Sequence, residues 1–153
     1  MPTAHDVISK IYSKGWTNEQ TRDRNPLRHC RTGDTLSAGK DWRALTQPHL
    51  IEQWLMKNDF KPVVDHRFNF RADWGAVDCQ VLAVEPNKTL SYTWGAYGLE
   101  SVVTWTLTPT STGTRLRMEQ SGFRPDQQQA YQGAKHGWPQ FFANLEQVLA
   151  RID

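Results

Sequence analysis

The chain is poor in cysteine. It has two in 153 residues, Cys30 and Cys79, which is too few for a disulfide framework. They can pair in principle, but two thiols in a chain of this size fit a reducing compartment. It also lacks an excess of either charge. The 18 basic and 16 acidic residues leave a net charge of +2, which excludes the basic footprint of a nucleic-acid binder. Arg22, Arg24, Arg28 and Arg31 lie among acids and turn formers, as in a solvated segment. No apolar run is long enough to cross a bilayer, and the start has no apolar signal-peptide region. The expectation is a cytoplasmic protein with no membrane insertion.

Motifs that carry chemistry are missing too. The sequence has no GxSxG, no phosphate-binding loop and no dinucleotide fingerprint. His29 and Cys30 are adjacent, which suits a tetrahedral ion poorly, and His5, His49, His66 and His136 have no ligand spacing. No metal and no cofactor are expected. Glu52, Asp65, Asp73, Asp78 and Glu119 are the acids available for proton transfer. Asp78 and Glu119 fall on outward strand positions, and no catalytic residue can be assigned. Repeats and low-complexity tracts are absent as well.

What the chain does have is tryptophan, seven of them, and a clear change of period. Its length suits one domain with a core of its own. Residues 1–40 read as an irregular N-terminal segment, with a short element over Asp6 to Tyr12 and no sustained period from Ser13 to Lys40. Residues 41–153 carry the pattern. Asp41 to Leu45 forms a helical turn or two. Pro48 opens a second short helix through Met56, whose buried side is Leu50, Ile51, Trp54 and Leu55.

From His66 onward the period is two. Phe68 and Phe70 alternate with Arg67, Asn69 and Arg71. Over Ala76 to Glu85 the inner set is Val77, Cys79, Val81 and Ala83, with Leu82 and Val84 blurring the assignment. Leu90, Tyr92 and Trp94 follow, then Val103, Trp105 and Leu107, then Leu116 and Met118. Short turns between these strands imply an antiparallel meander with one wet and one covered face.

From Pro125 to Asp153 the period is 3.6. Tyr131, Ala134, Trp138, Phe141, Phe142, Leu145, Val148, Leu149 and Ile152 share one face. Asp126 and Gln129 fit a capping box at its start. Pro139 removes one helical hydrogen bond and should kink it. Ala130, Gly133, Ala134 and Gly137 are small, so this half of the helix either packs closely or leaves space beside it. The fold class is α+β: two short helices, a curved antiparallel sheet, and a long C-terminal helix across its concave face.

An aromatic set converges between sheet and helix: Trp54, Phe68, Phe70, Tyr92, Trp94, Trp105, Met118, Trp138 and Phe142. Each serves ordinary core packing or lines a ligand cavity. Gln120 falls on the inward set of the last strand and needs a partner there, from a backbone group, water or a ligand. His136 reads as a surface histidine, nearly opposite Trp138 on the helix.

The order of segments resembles a known family. Trp42-Arg43-Ala44-Leu45-Thr46-Gln47-Pro48 is similar to the WRALTDP segment of proteins homologous to the activator of the 90-kDa heat-shock-protein ATPase, within the START-like (SRPBCC) superfamily of helix-grip folds. Glu52-Gln53-Trp54-Leu55, Phe68-Asn69-Phe70-Arg71, Val77 to Pro86, Leu90 to Trp94, Val102 to Leu107, Gly113 to Leu116, Ser121-Gly122-Phe123 and Gly133 to Trp138 extend the resemblance over residues 41–152. The departure is upstream. Asp41 stands where the family has an apolar residue, and the family's opening strand is either a short one near Val7–Tyr12 or lost.

The resemblance implies a hydrophobic cavity between sheet and helix. Relatives are linked variously to lipid or polyketide binding, aromatic polyketide cyclisation and chaperone regulation, and fold alone transfers none of these. The expected function is binding of an apolar or aromatic small molecule without chemistry. The alternatives are an enzyme of the polyketide cyclase or hydrolase type, and a co-chaperone-like interaction module. Members that stimulate the chaperone carry a further N-terminal domain, for which this chain has no room. A monomer or weak homodimer is expected.

Overall fold

Phe68 and Phe70 place two rings on the same side of one strand, and that alternation repeats along the sheet. The structure is a computed structural model that describes residues 27–32, 38–73, 75–96, 98–111 and 113–152. Its elements are β1 (Leu27–Thr32), α1 (Ala38–Thr46), α2 (Pro48–Trp54), β2 (Lys57–Asn58), β3 (Arg67–Ala72), β4 (Gly75–Glu85), β5 (Thr89–Ala96), β6 (Leu99–Pro109), β7 (Thr114–Ser121) and α3 (Gln128–Arg151). The strands form one seven-stranded antiparallel sheet in the order β1-β7-β6-β5-β4-β3-β2. Strands β3 to β7 are the expected meander, and α3 covers its apolar face. This is the α+β helix-grip architecture that the sequence pattern implies.

Three local expectations are corrected. The sequence shows no period between Ser13 and Lys40, yet Leu27–Thr32 is a strand. It pairs along its whole length with β7, from Leu27 opposite Gln120 to Thr32 opposite Arg115. An edge strand takes its register from its partner's free backbone groups and needs little alternation of its own. The short element over Asp6 to Tyr12, and the alternative strand near Val7–Tyr12, lie outside the described residues.

The second correction concerns β4. Its register against β5 shifts between Val81 and Ala83, so Leu82 is the extra residue of a β-bulge. The bulge reverses the alternation. Val84, opposite Leu90, packs against the core, whereas Ala83 lies opposite Ser91 on the outer face. Leu82 is left largely exposed.

The third is the start of α3. No capping box forms. The helix begins at Gln128, and Gln127, with φ −114° and ψ 37°, makes no side-chain cap bond. Asp126 instead accepts the Arg124 Nε–H at 3.2 Å, and the Gln127 side-chain carbonyl accepts the Arg124 N–H at 2.9 Å. Arg124 offers these groups a nearer partner than the helix amides.

The buried face of α3 is the one the 3.6 period marks, from Gly133, Ala134, Gly137 and Trp138 to Val148 and Leu149. Pro139 falls inside the helix on its exposed side. The short helices are tied together by Trp54, whose Nε1–H donates to the Ala44 carbonyl at 2.9 Å. Asp41 is fully buried on α1.

Gly122 closes β7 with φ +106°, and a Cβ there would lie 2.9 Å from the Glu100 carbonyl oxygen and 3.1 Å from the Ser101 Cα. Both obstacles are backbone, so neither can turn aside. Gly122→Ala is expected to cost about 1–3 kcal/mol from the strained φ alone, and more from the displaced β6. Urea unfolding of the variant beside the parent reads this directly; an unchanged midpoint would show that the turn has another accessible conformation.

Candidate functional site

The inward residues of β3, β5, β6 and β7 meet α2 and α3 in one aromatic interior. Trp105 is at its centre and has no exposed surface. Its ring lies 5.6 Å from that of Trp54, 5.9 Å from Trp138 and 5.6 Å from Phe142. Trp94 joins from β5, 5.6 Å from Trp138 and 5.4 Å from Phe70. Phe70 and Phe68 continue to Tyr92 at 6.0 and 5.5 Å. Met118, fully buried, stands directly across from Trp105 on β7. Every apolar residue of the expected set is therefore in this one cluster. Most of the ring pairs are edge-to-face or tilted, the arrangements the ring quadrupole favours.

A polar chain runs through the cluster. The Trp138 Nε1–H donates to Gln120 Oε1 at 2.8 Å, Gln120 Nε2 donates to Ser101 Oγ at 2.9 Å, and the Ser101 hydroxyl donates to the Trp94 carbonyl at 2.9 Å. The indole is a donor only, so it fixes which end of the Gln120 amide faces it. Gln120 thus bonds to two side chains, one from the helix and one from the next strand. A second buried bond runs from the Trp105 Nε1–H to Tyr92 Oη at 3.0 Å.

Two participants lie outside the set read from the sequence. Ser101 is on the inward parity of Val103, Trp105 and Leu107, so extending that alternation one step back finds it. Phe60 packs edge-on against Phe68 at 5.0 Å and near Tyr92 at 6.2 Å. It comes from a connection without periodicity, and no local signal marks it.

The titratable groups facing this interior are held neutral. Burial pushes the Tyr92 phenol well above its ordinary 10.0, against the opposing effect of its bond from Trp105. Burial likewise raises the Cys79 thiol above its ordinary 9.0, with the charges of Asp78 and Asp59 adding to it. In both cases the unfolded chain loses its proton first as pH rises. The stability these groups contribute is full below about pH 9 and declines above it. Urea midpoints measured from about pH 8 to about pH 11 are expected to fall, and to fall less in Cys79→Ala and Tyr92→Phe. A decline of the same steepness in both variants would place its origin elsewhere.

The acids singled out in the sequence, and the described His49, His66 and His136, fall outside the cluster. Glu52, Asp65, Asp73 and Asp78 are exposed, and Glu119 pairs with Arg117 at 2.9 Å. His136 is exposed, with Nδ1 2.8 Å from the Gln132 carbonyl, and His66 lies over Phe68 near the β3 end of the sheet. Among the described residues no group of three or more His, Cys, Asp or Glu is placed to hold a metal. An open groove on the outer face lies among Asp59, Arg67, Asn69, Asp78, Gln80 and Thr93. Water reaches it, so its hydrogen bonds are weaker than those of the interior.

A family profile, that of activator of Hsp90 ATPase homolog 1-like proteins, matches residues 36–150. The chain belongs to this family. Among solved structures it is similar to the protein MLL2253 of Mesorhizobium loti, with 66% identity, 84% of this chain and 98% of that chain covered, and a TM-score of 0.79. It is also similar to DynU16, a protein in the dynemicin biosynthetic locus, at 26% identity over 83% of this chain and 48% of that one, with a TM-score of 0.73. The Aha1 dimer from Colwellia psychrerythraea shares the fold at 21% identity, covering 81% and 95% of the two chains, with a TM-score of 0.71. Among curated proteins none matches significantly. No helix among the described residues of this family member is long and apolar enough to cross a membrane.

Proposed function

We propose that the protein binds an apolar or aromatic small molecule between the sheet and α3, using Trp54, Phe68, Phe70, Tyr92, Trp94, Trp105, Met118, Trp138 and Phe142 as walls and Gln120 as an anchor. The observation that carries this reading is the polar chain Trp138–Gln120–Ser101 inside an otherwise apolar interior. Binding sites combine such walls with a few placed polar groups. Membership of a helix-grip family supports the same location. Tyr92 and Cys79 are both held in their neutral forms, which favours binding over acid–base catalysis. A monomer or weak homodimer in the cytoplasm completes the proposal.

Native mass spectrometry of the purified protein tests it, followed by denaturation and identification of what is released. A stoichiometric apolar compound is the expected result, and the same spectrum gives the oligomeric state. If no apolar compound is released, and none from a set of aromatic compounds raises the melting temperature, the interior is a solid core and the proposal fails.

A further inference from the structure

Exposed large apolar side chains are few, and they lie together. Among the described residues they are Val63, at 58% exposure, Val64 at 50% and Leu82 at 44%. Val63 and Val64 belong to the connection between β2 and β3, and Leu82 to β4. Backbone bonds hold the two segments side by side. The Asp65 N–H donates to the Val81 carbonyl at 2.9 Å, and the Val81 N–H donates to the His66 carbonyl at 2.9 Å. Val64 precedes Asp65 and Leu82 follows Val81, so the antiparallel backbones carry these two residues to one place.

Two departures from regular structure present them. The His66 N–H donates to the Val63 carbonyl at 3.1 Å and closes a turn with Val64 and Asp65 at its centre. Asp65 adopts φ +73° there, the left-handed conformation that most side chains resist. Central turn positions favour Pro, Gly, Asn or Asp, so the β-branched Val64 is out of place at this one. The bulge at Leu82 is the second departure, and bulges re-aim a side chain. Neither device buries the side chain it presents.

The sheet is open beside them. β3 pairs with β4 from Gly75 to Gln80, and the turn continues that line to Val81. From Ala83 to Glu85, β4 pairs with β5 alone among the described residues. Such an edge offers backbone groups to a further strand. Lys61, Asp65, Glu85 and Lys88 stand around the patch, all exposed. Two cations and two anions make a rim without net charge. It suits neither a nucleic acid, nor an anionic lipid surface, nor a strongly acidic or basic protein. A two-fold axis turns such a rim upon itself, so that lysines of one copy face carboxylates of the other. Three side chains cover far less than the roughly 1,000 Å² of a stable interface, which sets the association as weak.

We propose that this face joins two copies of the chain in a weak dimer, with Val63, Val64 and Leu82 at its centre and Lys61, Asp65, Glu85 and Lys88 at its rim. The proposal stands independently of what the interior binds.

Sedimentation velocity of the full chain over a range of concentrations tests it, with amide NMR spectra at both ends of that range. Dimers are expected on concentrating, with amide shifts at Val63, Val64, Leu82 and Ala83 and none at Trp105 or Trp138. Val64→Asp and Leu82→Asp each bring like charges together across the axis. Each should raise the dissociation constant at least about tenfold. Both side chains are exposed, so the melting temperature of the dilute variants should stay near that of the parent. If Leu82→Asp unfolds the bulge, Val64→Asp carries the comparison alone. A chain that stays monomeric up to its solubility limit overturns the proposal and leaves the face to a different partner. A dimer that survives both substitutions, or amide shifts confined to another face, overturns it as well.

Discussion

Trp138→Ala is expected to lower the free energy of unfolding by about 3–5 kcal/mol, the range for removing a large buried aromatic ring. The ring is 3% exposed and touches Trp94, Trp105 and Phe141. Its loss leaves a cavity under α3 and takes the indole donor away from Gln120 Oε1. Trp138→Phe separates these effects, since it keeps most of the ring contacts and loses the N–H. It should cost clearly less than the alanine variant and more than a ring-for-ring exchange without a hydrogen bond. Urea unfolding of the three proteins measures both differences. An alanine variant as stable as the parent would mean that the helix collapses onto the sheet without its central side chain.

The second large effect is at the other end of that bond. Gln120→Leu keeps the volume approximately and removes both polar atoms. The Trp138 N–H is then buried without an acceptor, at a cost of about 1–3 kcal/mol, while Ser101 keeps its bond to the Trp94 carbonyl. The double variant Gln120→Leu, Trp138→Phe removes donor and acceptor together. It is expected to be more stable than the sum of the single effects, with a coupling of about 0.5–3 kcal/mol. Additive costs would show that the bond contributes nothing beyond its two ends.

The strands of this site are legible in the sequence wherever one face is dry. Phe68 and Phe70, Leu90 to Trp94, Val103 to Leu107, and Leu116 to Gln120 alternate because each faces α3 on one side and solvent on the other. The helix is legible for the same reason, through its 3.6 period. Legibility fails where a tertiary contact sets the local structure. The bulge at Leu82 is one such place, because a one-residue shift leaves Ala83 and Val84 equally plausible from composition. Asp126 is another: its best partner is Arg124 rather than the helix amides. Ser101 is small and polar, and its role depends on Gln120 arriving from β7. Phe60 enters from an aperiodic connection. The convergence of the aromatic residues follows from parity, but the chain of bonds from helix to sheet needs the coordinates.

The position of β1 has a consequence in time. Strands β3 to β7 are joined by short connections and pair with their neighbours in sequence, so their contacts form locally and fast. β1 is the first of the described strands, yet its partner is β7, with Leu27 opposite Gln120. On the ribosome β1 emerges early and waits unpaired until β7 has been synthesised. The edge of β7 is in turn exposed until β1 arrives. The edge carrying Gln120 is therefore the last to close, and folding of the polar anchor is coupled to the most distant pairing in the sheet.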